Sequence, residues 1–446
     1  MQHSHGSDVA HSGVCPQDLL ARRINVLGPH TPLFYDEPLH LVRGEDVWLY
    51  DHSGKRYLDV YNNVPHVGHC HPRVAEAMYR QASTLNVHTR YLHNNIIDYT
   101  ERLTATFAPE LSMAMLTCTG SEANELALRM ARHYTGGQGI IVTDFAYHGN
   151  TEAVAEIGTG FMPEARHTKR VKAFAIPDSY RGIEGVSQDQ LAAAYTGQID
   201  RAIEEFAAEG IPFAGMLVCP DFANEGLLNV PEGFMEAATA LVHNAGGLLI
   251  ADEVQAGFGR TGKHWWAHQW FNITPDIVTL GKPMGNGHPL AGVIARPELI
   301  NSFTSHSMYF NTFGGTPVSC AVGMAVLDAL EEDNLLANAV STGAYVAAGL
   351  RKLQLKYPII GEVRDRGLFF GVELVTDPQT KTPAPKAARR IINLMKQQGV
   401  LISVIGVHDS ILKLRPPMPF RPEHADLLTH TLDKVLNQVS EELSHG

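Results

Sequence analysis

The chain of 446 residues is 44% hydrophobic and 18% charged, which excludes a disordered polymer and predicts two or three globular domains. Its formal net charge of -12 excludes binding dominated by nucleic-acid phosphates, which needs a basic face. No apolar run is long enough to cross a bilayer, and the first residues lack a charged-then-apolar leader pattern; five scattered cysteines without paired spacing predict reduced thiols in a cytoplasmic protein and no zinc site.

Residues 1–16, with His3, His5 and His11 among Ser and Gly, read as a disordered tail. Strands are predicted over 40–42 and 47–50, closed by an Asp51-His52-Ser53-Gly54 turn, in an N-terminal segment (17–70) that packs with a small C-terminal domain. His66, His69 and His71 follow. Their spacings of three and two fit no helical ligand face and no acidic residue adjoins them, so a polar active-site loop is expected there and not a metal. Pro72 opens an amphipathic helix with Val74, Ala75, Ala77 and Met78 inward. Arg90 and Tyr91 lie in a polar stretch, 87–95, long enough to reach a pocket.

Thr119 with Glu122 three residues later is a capping-box pattern. Behind it Ala123, Leu126, Ala127, Met130, Ala131 and Tyr134 recur as one helix face. Gly120 and Ser121 thereby fall where free backbone N–H groups favour a phosphate, although an ordinary capped helix would look the same. Strands over 139–144, 213–219, 247–252, 276–280 and 290–295 then alternate with helices such as 198–209 and 231–244. Near-continuous apolar strands separated by helices predict a mostly parallel sheet covered on both faces, in a large domain spanning 71–331. Ligands gather at the carboxyl ends of such strands, where Tyr147, Asp252 and Lys282 fall. A lysine held there in a partly apolar pocket loses charge readily and becomes a nucleophile toward carbonyls, while a lone lysine beside glycine also fits a solvated surface. A glycine-rich loop, Asn311-Thr312-Phe313-Gly314-Gly315-Thr316, precedes a helix over 317–331. A long helix (335–355), a strand pair (361–374), a helix (387–398) and strands over 400–404 and 411–413 make an α+β domain of residues 332–446.

Lysine, aspartate and an aromatic residue at neighbouring strand ends, beside a phosphate site on a helix N-terminus, suggest pyridoxal 5'-phosphate. The lysine condenses with its aldehyde, the carboxylate keeps its ring nitrogen protonated, and the aromatic face stacks on it. The motifs Gly120-Ser121-Glu122-Ala123-Asn124, Tyr147-His148-Gly149, Ala251-Asp252-Glu253-Val254-Gln255, Thr279-Leu280-Gly281-Lys282 and Asn311-Thr312-Phe313-Gly314-Gly315 together resemble the class III aminotransferases of the fold type I family. Within that family the chain is similar to the ethanolamine-phosphate phospho-lyases and their hydroxylysine-phosphate relatives. The resemblance implies an α/β fold with a mostly parallel, seven-stranded sheet and a small α+β domain. It also implies that Lys282 carries the cofactor, Asp252 pairs with its ring nitrogen, Gln255 bonds its phenolic oxygen, and Tyr147, with His148 beside it, stacks on it. Gly120 and Ser121 would bind its phosphate, joined by Thr312 from the second subunit of a homodimer.

The chain departs from the aminotransferase pattern in three places, one of them the stretch Asn62–Pro72, which is shorter than usual and closely resembles the phospho-lyase version. Cys219-Pro220-Asp221 stands where many members have Glu-Pro, and Lys413, with Arg415 added before Pro416-Pro417, stands where many have a carboxylate-binding arginine. A transaminase admits a keto acid, usually through a bidentate arginine. Loss of that arginine with several cations kept predicts a phosphorylated amine as substrate, held by Arg90, Lys413 and Arg415. The expected reaction is elimination of phosphate from O-phosphoethanolamine or a similar amine, giving acetaldehyde and ammonia. An ω-amino acid:pyruvate aminotransferase is the alternative.

Overall fold

The computed structural model describes residues 15–160 and 168–444. The tail expected over 1–16 lies outside them except for Cys15 and Pro16, and Pro16 opens the helix Pro16–Leu27. Seven strands form the central sheet in the order Met113–Thr117, Ala291–Ala295, Ile277–Leu280, Leu248–Asp252, Phe213–Val218, Gly139–Thr143, Val171–Phe174. Four of the five inner strands, Gly139–Thr143, Leu248–Asp252, Ile277–Leu280 and Ala291–Ala295, are buried at every residue, and Phe213–Val218 at all but its first, as continuous apolar runs under helices on both faces must be. The sheet is an α/β, mostly parallel one, with one reversal that the strand pattern does not announce. Ala291–Ala295 runs antiparallel to both neighbours. The connection 281–290 is too short for a crossover helix, so the chain can only turn back.

Two strands of the central sheet lie outside the sequence expectation. Met113–Thr117 and Val171–Phe174 are the sheet's edges and are only partly buried; both are short, and Lys172 interrupts the apolar run of the second. Among the residues expected inward on the helix Pro72–Ala82, Val74 is buried and Ala77 and Met78 half-buried, whereas Ala75 is exposed.

A second sheet joins Leu41–Glu45, Trp48–Asp51 and Arg56–Asp59 to Val400–Leu401, which runs parallel to Arg56–Asp59. A third, antiparallel sheet contains Ile360–Arg366, Phe369–Asp377, Ile411–Leu414 and Ser403–Ile405. The single strand expected over 400–404 is therefore split at Ile402 between two sheets, tying the N-terminal segment to the C-terminal part. One apolar cluster takes in Val47 and Leu58, Val278 and Leu280 of the central sheet, and Phe370, Leu412 and Leu436. Among the described residues no helix is long and apolar enough to cross a membrane.

The three histidines have structural partners. His66 is buried between the carbonyl of Phe258 (2.7 Å) and the Arg260 guanidinium (3.1 Å), His69 faces Asp59 (2.7 Å), and His71 lies 3.5 Å from Asp333. Asp59, ten residues back in the chain but across a strand, is an acidic neighbour the local sequence does not reveal. Among the described residues no group of three or more His, Cys, Asp or Glu is arranged to hold a metal.

Candidate active site

The helix Gly120–Thr135 starts on a complete capping box. Thr119 Oγ1 accepts from Glu122 N (3.1 Å), and Glu122 Oε2 accepts from Thr119 N (2.8 Å) and Cys118 N (2.8 Å). The first turn's other residues, Gly120 and Ser121, have no intrahelical acceptor for their N–H groups and line a cavity at the carboxyl ends of the strands. Glycine is required at 120 and 281 for closeness, not for backbone angle. A Cβ on Gly120 would meet both Val254 methyls at 3.0 Å, and one on Gly281 would lie 3.1 Å from Val254 Cγ1 and 3.3 Å from Gly120 Cα. Phe145, Phe222 and Phe258, each two or three residues along the chain from Tyr147, Asn224 or Gln255, have positive φ of 63°, 47° and 60°.

One cavity brings together Gly120, Ser121, Tyr147, Asp252, Gln255 and Lys282, with His148 and Cys219 also on its wall. Asp252 ends its strand 5% exposed and is held by three donors. Oδ2 accepts from Asn124 Nδ2 (3.0 Å) and lies 2.7 Å from His148 Nδ1, and Oδ1 accepts from Val254 N (3.0 Å). Asn124 is fixed in turn, because its Oδ1 accepts from Thr279 Oγ1 (2.7 Å) and its Nδ2 also donates to the His148 carbonyl (2.7 Å). Asp252 so held is a fixed carboxylate facing the cavity, suited to a cationic ring N–H. Lys282 follows the strand Ile277–Leu280, and its pKa is lowered by burial and then by Arg415, against a smaller opposing pull from Asp252. Tyr147 is 39% exposed, and Asn224 Nδ2 donates to its carbonyl (3.1 Å). His148 Nε2 is buried with no protein partner, a polar atom aimed at no group among the described residues.

Gln255 is 8% exposed, its Nε2 donating to Asn224 Oδ1 (3.1 Å) and its Oε1 accepting from Lys413 Nζ (3.1 Å) and from Arg415 Nη1. Lys413 and Arg415 are themselves buried, at 3% and 7% exposure, and neither is on the wall of the cavity. Arg415 Nε donates to the Tyr61 carbonyl (2.7 Å) and its guanidinium lies 4.7 Å from the Tyr61 ring centre. Arg90 is exposed, its guanidinium 3.8 Å from the Phe310 ring centre, and Thr312 is exposed; neither lines this cavity. Asn124 and Asn224, which orient Asp252 and Gln255, are functional neighbours that sequence reasoning does not single out. A buried asparagine on an otherwise apolar helix face must find partners, and Asn124, 0% exposed beside Ala123 and Ala127, carries that signal.

These residues fit pyridoxal 5'-phosphate: a lowered lysine amine, a fixed carboxylate, an aromatic side chain and an open helix N-terminus face one space. The sequence matches the family model for class-III aminotransferases over residues 34–436. A relative from Drosophila melanogaster, called alanine–glyoxylate aminotransferase 2-like, is 38% identical over 97% of this chain and 90% of its own. Ethanolamine-phosphate phospho-lyase homolog 1 of Caenorhabditis elegans is 35% identical over 94% of this chain and 93% of its own. A solved structure of a phospholyase from Arthrobacter, in complex with phosphoethanolamine, is 48% identical and superimposes with a TM-score of 0.91, covering 94% of this chain and 99% of that one. The protein therefore belongs to the class III aminotransferase family, fold type I enzymes that depend on pyridoxal 5'-phosphate.

Proposed function

We propose that the protein is a lyase that eliminates phosphate from O-phosphoethanolamine or a closely similar phosphorylated amine, giving acetaldehyde, ammonia and inorganic phosphate with consumption of one water. The observation that carries this reading is the likeness to the phospholyase whose structure holds phosphoethanolamine. The site's own chemistry supports it, because a lysine stands at 413, where a keto-acid-binding arginine is expected, and that lysine is bonded to Gln255 and the Ala223 carbonyl.

In this reading Lys282 carries the cofactor, which when bound supplies an electron sink for the carbon next to the substrate nitrogen. The residues do the rest. Asp252, fixed by Asn124, His148 and Val254 N, holds the ring nitrogen's proton. Gly120 and Ser121 N–H groups hold the cofactor phosphate, Gln255 faces its phenolic oxygen and Tyr147 packs on its ring. Once substrate has replaced it, the Lys282 amine takes the proton from the carbon bearing nitrogen, a role that its lowered pKa favours. The carbon–oxygen bond to phosphate then breaks, and nearby cations steady the departing charge. Arg415 and Arg90 are the cations proposed for that phosphate; neither lines the cavity, and Arg415 bonds Gln255 and the Tyr61 carbonyl.

The site is proposed to be completed by a second copy of the chain, which would bring its Thr312 to the cofactor phosphate. His88 stacks on Tyr91 and meets Phe310 edge-on, with the Arg90 guanidinium over the Phe310 ring, on a face that carries Leu92 (98% exposed) and Met308 (88% exposed). The aminotransferase relative favours a second reading, transfer of the amine to pyruvate or glyoxylate. Purified protein given O-phosphoethanolamine alone is expected to release inorganic phosphate. Alanine formation from pyruvate with no phosphate release would replace the lyase reading with the transaminase one.

A further inference from the structure

Gln255 is a cavity residue whose amide orientation is fully determined. Its Oε1 accepts from both Lys413 Nζ (3.1 Å) and Arg415 Nη1 while its Nε2 donates to Asn224 Oδ1 (3.1 Å). Turning the amide over would set its NH2 against two donors and its oxygen against an acceptor, so the carbonyl end is locked toward the strand Ile411–Leu414 and the segment after it. One N–H of Nε2 is left, and Gln255 lines the cofactor cavity. Lys413 is placed unlike a phosphate ligand. It is 3% exposed, its second bond goes to the Ala223 carbonyl (2.7 Å), and it forms no ion pair among the described residues. The charged and titratable groups that act on it are Arg415, Cys219, Lys282 and Glu225. Burial and then Arg415 hold its amine well below the ordinary lysine value.

We infer that Lys413 is a positioning residue: together with Arg415 it clamps the Gln255 carbonyl, so that the amide's free N–H is presented to the phenolic oxygen of the bound cofactor. The inference rests on the reading of this cavity as the cofactor site and not on the identity of the substrate.

Holoenzyme carrying Lys413→Met, which keeps the volume and removes the donors, tests it. Loss of an oriented donor to a phenolate disfavours the charged form, so the pH midpoint of the bound cofactor's visible absorption is expected to rise by roughly one unit, a tenfold change. Gln255→Ala is expected to give the same rise, and Lys413→Met added to it no further change. Competitive inhibition by inorganic phosphate is expected to stay within about twofold of the parent, since Lys413 meets no substrate phosphate. An unshifted midpoint with about tenfold weaker phosphate inhibition would make Lys413 a substrate ligand and overturn the inference, as would additive shifts in the double variant. If Lys413→Met does not fold, Lys413→Arg keeps the donors; an unchanged midpoint supports the clamp and a raised one overturns it. Parent protein that shows no cofactor band would instead sink the cofactor-site reading on which all of this depends.

Discussion

Asp252 is held by donors from three separate parts of the chain: Asn124 on a helix, His148 on a loop, and the backbone of Val254. Those contacts fix a carboxylate that desolvation alone would penalise, and they make its neighbours as important as the residue itself. Lys282 is the complementary case, a lysine made easier to deprotonate by burial and by Arg415. In the proposed reaction its neutral form takes the proton, so turnover should persist to lower pH than a solvated lysine allows and fall as pH drops through the lowered pKa. Arg415→Met removes the cation that, after burial, depresses it most, and is expected to move the acid limb of the kcat–pH profile upward; an unmoved limb contradicts this assignment. Lys282→Ala is expected to lower turnover by at least about 10²–10⁴-fold with the fold retained, checked by circular dichroism and by loss of the borohydride-fixed cofactor adduct in the mass spectrum. Lys282, Asp252, Tyr147 and Gly120 are legible as chemistry because strand-end positions and glycine punctuation mark them. The bonds that hold Gln255 are not legible: Lys413 and Arg415 are more than 150 positions away in the chain, and a cation in a sequence looks the same whether it faces solvent or a buried amide.

At the level of elements, the site depends on how closely the helix Gly120–Thr135 and the Lys282 loop approach Val254. Gly120→Ala puts a methyl 3.0 Å from both Val254 methyls and is expected to weaken cofactor retention by about 1–3 kcal/mol, read as a faster loss of the visible band on dialysis. Val254→Ala in the same chain should restore retention, since the three heavy atoms nearest to that methyl all belong to Val254. No restoration would mean that the glycine serves some purpose other than space. The inner strands are legible because they are uniformly apolar, and the capped helix because Thr119 and Glu122 sit three apart. The reversed strand Ala291–Ala295 is not, because burial on both faces gives parallel and antiparallel strands the same composition. Arg56–Asp59 also escapes, since a four-residue strand with charged ends carries no alternating pattern.

Across the whole molecule, residues 400–405 tie the N-terminal strands and the C-terminal sheet into one core, an arrangement hidden by a sequence separation of more than 340 residues. The exposed face around Tyr91, Leu92, Met308 and Phe310 is the expected seat of a second copy. Sedimentation should give a dimer, and Leu92→Asp with Met308→Asp should yield a monomer that has lost turnover although Lys282 is intact. A fully active monomer would remove Thr312 of a second copy from the site. The central claim is tested most directly by product stoichiometry with purified protein, O-phosphoethanolamine and no keto acid. The expected result is one phosphate, one acetaldehyde and one ammonia per amine consumed. Amine loss that requires a keto acid and leaves the phosphate ester intact would contradict it.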